Sequence, residues 1–525
     1  MSSRPNTAKP ELIFEHVNRS SRSQSDSKYE LIRKAGPHET MFNLFHELGI
    51  QSNILVAATY THSDKRGLTA PALFEALPVV INQHPALGII GVDQPSQRKK
   101  GSHRLWEARL NTVNLRDCVE FVPRDGRDQG LQRIIEKSHN EWFDTKDRTR
   151  PLWKLVIVDN THALFIYHHM IGDGLSGYAF HRSLLAALND IEAQKIIDRI
   201  SIGNKGSIVN IPTTLPPGHS QALFQKNVSI IYIVHAFLWW IIIRLIFSSE
   251  SFLFSDATFT KKYPTPTNPF PKDKRTVTRI ESMKINCTTK EKCLVACRIH
   301  NTTLTAVLHT LIQVTLAADI YPKAKIGFSR VAVDMRRYMK DNKGVDVMLN
   351  AVGTFADAQW LGRYREAGRD LTIVGGIGDG LSLRAHLWDL ARRYGARLHE
   401  DINESNTALK EYVAAKLVGE DKEEFVSQGF HNIRLFTNYS LLVSNLGVFR
   451  QIRGEISGGW NINHVESSTA AIKASVGNAG IVFNVASAEL GALVINASYE
   501  EGVLMPETVR KVIEGLEKRL KLLIE

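Results

Sequence analysis

Hydrophobic and polar residues recur along this chain with two different periods, which predict interleaved helices and strands. Apolar residues return at helical spacing over 68–84, 172–190, 303–320, 383–403 and 506–525. Two β-rich runs, 152–158 and 163–169, are joined by a polar turn and predict a hairpin, and three further strands are predicted between 434 and 500. The second hairpin strand leads through a glycine-containing turn directly into the helix predicted at 172–190.

The middle of the chain departs from this pattern. Proline and glycine are concentrated at 200–222 and proline again at 263–274, which is typical of a connection between domains. Between them, residues 228–247 are almost entirely apolar, over the length that a bilayer-spanning helix needs. We expect a disordered tail at 1–30, two halves at 31–205 and 276–525, and a linker at 206–275 that contains the apolar stretch.

Length, composition and charge narrow the class of protein. A chain of 525 residues, 43% apolar and 23% charged, predicts at least two folded domains and excludes a disordered or fibrous protein. Its four cysteines are too few for a disulfide scaffold and lack the spacing of a zinc site, so a reducing, cytoplasmic location is expected. The net charge of +11 suits an anionic ligand or membrane face, but its short basic bursts do not indicate nucleic-acid binding.

The segment HHMIGDG, residues 168–174, carries the clearest chemistry. The pattern His-His-x-x-x-Asp-Gly arises by chance on the order of 0.002 times in a chain of this composition. A histidine at a strand end is well placed to accept a proton from a bound hydroxyl or amine, because its ordinary pKa of ~6.5 lies near neutral pH. Adjacent strand residues point to opposite faces, so only one of the two histidines is expected to face a given cavity. A structural histidine pair before an Asp-Gly turn is the alternative.

The motif occurs together with HPAL at 84–87, PLWKLVIV at 151–158, VDMRRYM at 333–339 and SNLG at 444–447. In this order, the segments resemble the fungal alcohol acetyltransferase family of the HHxxxDG CoA-dependent acyltransferase superfamily. The resemblance extends from about Leu31 to the C-terminal helix. It implies an α/β fold of the α+β type, with two similar chloramphenicol-acetyltransferase-like halves, each a mixed sheet flanked by helices, and a tunnel between them.

The resemblance also assigns roles to residues. It implies that His169 is the general base and that Asp173, the second predicted catalytic-site residue, shapes the site by pairing with an arginine. We predict Arg336 for this role; Arg337 is the alternative partner, and a solvated pair of arginines is the other interpretation. Ser444 or Asn445 is expected to donate a hydrogen bond to the oxyanion of the tetrahedral intermediate. The predicted substrate-binding residues are His168, Gly174, Ser444 and Asn445. A side chain at Gly174 would crowd the tunnel, whereas the His168 side chain is expected to turn away from it and to act mainly on stability.

The implied function is an acyl-CoA-dependent O-acyltransferase that transfers an acetyl group from acetyl-CoA to an alcohol or secondary metabolite. Acetyl-CoA would be a co-substrate, and no permanently bound cofactor or metal is expected. The alternatives are an N-acyltransferase or condensation-type enzyme, and an inactive acyltransferase fold that serves as a membrane-associated binding protein. We expect a monomer that associates through 228–247 with the endoplasmic reticulum or lipid-droplet surface. A buried linking helix is the other reading of that stretch.

Overall fold

The computed structural model describes residues 28–123, 130–198, 206–216, 241–243, 245–257, 271–338, 346–373, 380–403, 420–427, 440–451, 459–473 and 479–524, with single residues at 234, 238, 265, 268 and 269. Strands and helices interleave, as the hydrophobic pattern predicts. The strands are β1 (Tyr29–Lys34), β2 (Ile54–His62), β3 (Ile89–Pro95), β4 (His103–Leu110), β5 (Thr112–Asn114), β6 (Val119–Val122), β7 (Trp153–Val158), β8 (His162–Tyr167), β9 (Ile208–Asn210), β10 (Thr278–Ile285), β11 (Ile326–Asp334), β12 (Val352–Trp360), β13 (Ser440–Phe449), β14 (Trp460–Thr469), β15 (Ala479–Ala488) and β16 (Leu493–Glu500).

Helices of very different length connect these strands. Those with defined bounds are α1 (Pro37–Glu47), α2 (Ala70–Gln83), α3 (Leu131–Asn140), α4 (Gly174–Asp198), α5 (Cys287–Ile299), α6 (Leu304–Thr315), α7 (Gly362–Ile373), α8 (Gly380–Asn403), α9 (Lys422–Phe425) and α10 (Pro506–Ile524). The periodicity predicts α2, α4, α6, α8 and α10 but does not indicate α1 or α7. Strand β1 begins at Tyr29, and Tyr29 and Glu30 pair with Leu110 and Arg109 of β4, so these two residues belong to the first sheet and not to the expected tail.

The first half is built on a five-stranded mixed sheet in the order β14-β2-β8-β7-β6. Strands β7 and β8 form the predicted hairpin, and its turn places Asp159 and Asn160 at φ values of 50° and 56°, the left-handed region that such tight turns require. Phe165 of β8 stacks on Phe180 of α4 at a centroid distance of 3.7 Å. Burial of this apolar face holds α4 against the sheet, and thereby fixes where the helix begins.

The second half contains a six-stranded sheet in the order β10-β16-β15-β13-β11-β12. Strand β13 lies parallel to both of its neighbours, β11 and β15, while the other pairs are antiparallel. Ser444 and Asn445 of SNLG pair with Asn484 and Val485 of β15, whereas the pairing of β13 with β11 ends one residue before them, at Val443. A large apolar core, with α6, α8 and α10 contributing Leu308, Leu311, Tyr394 and Leu516, supports this sheet.

One strand crosses between the halves. Strand β14 belongs to the second half by sequence, but it pairs antiparallel with β2 in the sheet of the first half. At its end, Thr469 donates a hydrogen bond at 2.9 Å to Asn484 of β15, so β14 contacts both sheets. The hydrophobic pattern does not indicate this crossing. Apart from the start of β1, the predicted domain limits stay predictions.

The apolar stretch 228–247 falls largely outside the described residues. Its described positions include helical residues at 234, 238, 241–243, 245 and 246. Within the described ranges, no single helix has both the length and the apolar composition to cross a bilayer. One pair of helices, Cys287–Ile299 and Leu304–Ile320, has that length and composition when taken together, but the two are bent by 99° relative to each other.

Candidate active site

The predicted motif occupies the connection between β8 and α4. Strand β8 ends at Tyr167 and α4 begins at Gly174, so residues 168–173 form the loop between the middle strand of the sheet and the helix. Asp173 precedes the helix, and its Oδ1 accepts a hydrogen bond from the N–H of Ser176 at 3.1 Å. A carboxylate at this position satisfies an N–H that the first turn leaves unpaired, which explains why the helix starts here.

Asp173 makes the predicted ion pair with Arg336. The guanidinium donates from Nη1 to Oδ2 at 2.8 Å and from Nη2 to Oδ1 at 2.9 Å. Oδ2 also accepts the N–H of Ala351 at 2.9 Å, and the two side chains of the ion pair are 6% and 4% exposed. The carboxylate is thus fully engaged by donors from the second half and from its own helix, which is the arrangement that a structural anchor requires.

The electrostatics of the pair follow from these contacts. Burial raises the pKa of Asp173, but the Arg336 guanidinium and the surrounding donors outweigh it and hold that pKa below its usual value. For Arg336, burial lowers the pKa, while the carboxylates of Asp173 and Asp334 raise it above its usual value. Both groups are therefore charged at neutral pH, and Asp173 is a poor candidate for a proton acceptor.

His169 is partly exposed and contacts the first helix of the chain. Its ring stacks on Phe42 of α1, with centroids 3.4 Å apart and planes inclined by 6°. Burial lowers the pKa of His169 to about 4, against the raising influence of its own carbonyl group, the Asp173 carboxylate and the Gly172 carbonyl. The imidazole is therefore neutral at neutral pH, so one ring nitrogen is free of a proton and can accept one.

His168 is 1% exposed and packs among aromatic rings. Its Nδ1 accepts the N–H of Met170 at 3.0 Å, and its ring lies 4.6 Å from that of His46 on α1. His46 and Phe42 are one turn apart on that helix, so both histidines contact the same element instead of pointing to opposite sides. The alternation expected for a strand does not apply, because β8 ends at Tyr167.

Gly174 lies against the SNLG segment of the second half. A Cβ atom on Gly174 would stand 2.5 Å from Cδ2 of Leu446, too close for any side chain unless Leu446 moves. Four residues further along α4, the hydroxyl of Tyr178 donates to the carbonyl oxygen of Gly447 at 3.0 Å. A side chain at position 174 would therefore first meet Leu446 of the facing strand. The fold thus brings α4 and the SNLG segment into contact.

Ser444 and Asn445 are half-buried residues of β13. Asn445 donates from Nδ2 to Thr305 of α6 at 2.9 Å, and its Oδ1 accepts the N–H of Gly447 at 2.9 Å. One of its two amide protons is therefore used inside the second half. Ser444 lies beside Asn484 of β15 in the parallel register.

Two residues that contact His169 lie outside all the motifs identified in the sequence. Phe42 belongs to α1, and Pro37 at its first position is a helix-start signal that could have located this helix. Asn350 precedes β12 and donates from Nδ2 to the carbonyl oxygen of His169 at 2.6 Å. A cavity of about 30 Å³ lies beside this contact and is lined by Glu39, Met170 and Asn350 among others.

The sequence of residues 125–520 matches the profile of the family described as alcohol acetyltransferase. The chain belongs to the alcohol acetyltransferase family. The resemblance inferred from the motif is thereby confirmed, and the protein is an acyltransferase. A protein of Aspergillus fumigatus described as a probable alcohol acetyltransferase is 22% identical to this chain, over 90% of this chain and 96% of its own length. Another, from Fusarium pseudograminearum, is 25% identical over 93% of this chain and 94% of its own.

Solved structures of an O-acetyltransferase and of a condensation domain share the fold. The trichothecene 15-O-acetyltransferase of Fusarium sporotrichioides superposes with a TM-score of 0.66 at 12% identity, covering 97% of each chain. The first condensation domain of the calcium-dependent antibiotic synthetase superposes with a TM-score of 0.54 at 12% identity, over 94% of this chain and 96% of its own. The expected α+β fold of chloramphenicol-acetyltransferase type is therefore confirmed.

Proposed function

We propose that this protein transfers an acetyl group from acetyl-CoA to the hydroxyl of a small-molecule alcohol, with His169 as the general base. The Nε2 atom of His169 accepts the hydroxyl proton while the alcohol oxygen attacks the thioester carbonyl carbon. The C–S bond then breaks, the ester is released, and the proton passes from His169 to the departing thiolate. The Ser444 hydroxyl and the second amide proton of Asn445 are the proposed donors to the oxyanion.

The observation that carries this proposal is the division of roles within the motif loop. The Asp173 carboxylate accepts hydrogen bonds from Arg336, Ser176 and Ala351 and is held in its charged state. His169, in contrast, is neutral, has an intermediate exposure and lies flat against Phe42. The neutral imidazole of His169 is therefore a better proton acceptor than the Asp173 carboxylate, because that carboxylate already forms an ion pair with Arg336.

The test is to incubate the purified protein with acetyl-CoA and a panel of alcohols and amines while free thiol is followed. We expect thiol release with one or more alcohols, and its loss in His169→Ala. His168→Ala should retain thiol release per folded molecule, because the ring is packed away from solvent, but should unfold at a lower temperature. Release with amines alone would replace O-acylation by N-acylation. Acetyl-CoA binding without release, or equal activity in the two variants, would contradict the assignment.

We further propose that the segment 228–247 associates with a membrane surface through apolar side chains, on the cytoplasmic side of the endoplasmic reticulum or on lipid droplets. Among its described residues, the exposed apolar side chains are Val234, Leu238, Ile242, Leu245 and Ile246. Val234, Leu238, Ile242 and Ile246 recur every four residues and Leu245 lies three residues after Ile242, spacings that share one face of a helix. Ile243 and Phe247 pack instead with Phe252, Ile326 and Phe328 of the protein body. This two-sided arrangement and the net charge of +11 both suit an anionic lipid surface.

Flotation with vesicles that contain anionic lipid tests this second proposal. Leu245→Glu should reduce the vesicle-bound fraction, because Leu245 is 81% exposed on the apolar face. Leu490→Glu is the matched control, since Leu490 is 80% exposed but lies in the turn between β15 and β16. Equal binding of wild type and both variants would contradict membrane association through this segment.

A further inference from the structure

Asn350, from the second half, donates a hydrogen bond to the main chain of the motif loop. Two main-chain hydrogen bonds hold the loop. The N–H of His168 donates to the carbonyl oxygen of Leu152 at 2.9 Å, and the N–H of Ile171 donates to the carbonyl oxygen of His168 at 3.1 Å. The carbonyl oxygen of His169 accepts instead from Nδ2 of Asn350 at 2.6 Å. The contact joins residues 181 positions apart, so the second half determines the orientation of this peptide group.

The backbone on both sides of Asn350 is fixed to the same motif. The N–H of Leu349 donates to the Ser176 hydroxyl at 3.2 Å, and the carbonyl oxygen of Leu349 accepts from Nη2 of Arg336 at 3.1 Å. On the other side, the N–H of Ala351 donates to Asp173 at 2.9 Å. Asn350 therefore projects from a backbone segment that cannot shift relative to the loop without breaking these bonds.

The orientation of the Asn350 amide follows from its partner. A carbonyl oxygen only accepts hydrogen bonds, so the NH₂ group must face His169 and Oδ1 must point the other way. Asn350 is 4% exposed, and its Oδ1 is buried without a hydrogen-bond partner among the described residues. The buried oxygen without a partner costs stability, so the hydrogen bond from Nδ2 to the carbonyl oxygen of His169 is the contribution that an apolar residue of similar size would not make.

We propose that Asn350 is a positioning residue that acts through His169. Its hydrogen bond holds the His169 peptide group, and Phe42 covers one face of the ring, so together they restrict where the ring nitrogens point. Correct orientation of a base is worth a large rate factor, and a displacement of about 1 Å can lower the rate ~100-fold. This inference rests on the proposed role of His169 as general base.

The test compares Asn350→Leu with Asn189→Leu. Asn189 is the matched control, because it also joins the two halves through one amide: Nδ2 donates to the carbonyl oxygen of Trp460 at 3.1 Å, and Oδ1 accepts the N–H of Trp460 at 3.0 Å. We expect Asn350→Leu to remain folded, with kcat lowered about 10- to 100-fold and KM changed less than threefold. Asn189→Leu should lower the melting temperature but leave kcat within twofold.

A spectroscopic readout separates positioning from a merely structural role. In protein labelled at histidine Cε1, the His169 signal, assigned through His169→Ala, should shift in Asn350→Leu and stay in place in Asn189→Leu. An unshifted signal, a kcat within twofold of wild type, or a loss of activity that only matches the unfolded fraction would overturn the proposal. If His169→Ala retains full activity, the assignment of the base fails instead, while the signal still reports whether Asn350 orients the ring.

Discussion

Phe42 covers one face of His169, with the ring centroids 3.4 Å apart and the planes inclined by 6°. The two residues lie 127 positions apart in sequence, and α1 brings the phenylalanine to the motif loop. Stacking of this kind both shields the imidazole from solvent and limits its rotation. The pKa of His169 therefore depends on Phe42 of α1, a helix that contains none of the motifs identified in the sequence.

Removing this cover should change the pH dependence of catalysis. Catalysis by a general base requires neutral His169, so activity is present above its pKa and lost as the pH falls through it. In Phe42→Leu, greater solvation of the ring should move that pKa from about 4 toward 6.5. The acid limb of kcat/KM should therefore shift to higher pH. Phe45→Leu, on the same helix, is the control, and equal acid limbs in both variants would contradict the shielding role.

Arg336→Met should destabilise the fold strongly. The substitution leaves the Asp173 carboxylate buried without its cation, and loss of one partner of such a pair typically costs ~3–5 kcal/mol. The double variant Asp173→Asn with Arg336→Met should be less destabilised than the sum of the two single variants. Urea unfolding of the four proteins measures this coupling. Additive losses would show that the pair does not act as a unit.

Gly174→Ala should be destabilising because of one identifiable contact. The added methyl group would lie 2.5 Å from Cδ2 of Leu446, and such overpacking typically costs ~1–3 kcal/mol. Shortening the obstructing side chain in Gly174→Ala with Leu446→Ala should recover part of this loss. Thermal unfolding measures both variants. If the double variant is no more stable than the sum of the single changes predicts, the clash with Leu446 is not the cause.

Stability should fall as the pH drops below 6.5. His139 is fully buried between Asn53 and Ser468, and burial lowers its pKa to about 3 in the folded protein. A lowered folded-state pKa means that the unfolded chain binds the proton first, so its contribution to stability is present above pH 6.5 and is lost progressively between 6.5 and 3. Each unit of this difference corresponds to ~1.4 kcal/mol.

Substitution of His139 tests this dependence. His139→Gln should lower stability at pH 7.5 but make the unfolding free energy less dependent on pH between 7 and 4, because one proton-binding group of the unfolded state is removed. His399→Gln, at an exposed histidine of α8, is the control and should leave the pH dependence unchanged. Urea midpoints measured across this range decide the outcome. The same slope in His139→Gln as in wild type would contradict the assignment.

The sequence by itself determined the family, the hairpin of β7 and β8, the helix α4 and the ion pair of Asp173 with Arg336. The hairpin and the helix could be predicted because apolar spacing reflects which face of a strand or helix is buried, and this depends on neighbours along the chain. The ion pair could be predicted only through the family resemblance, which supplied the arginine that reaches the motif aspartate from residue 336.

Only the tertiary structure decided which other side chains complete the site. Phe42 and Asn350 reach His169 from 127 and 181 positions away, and β14 joins the sheet of the first half from beyond residue 459. Local periodicity is the same whatever distant segment packs against a given face, so it carries no record of these partners. The orientation of His169 is set by long-range packing and by one amide hydrogen bond, and both exist only once the two halves have come together.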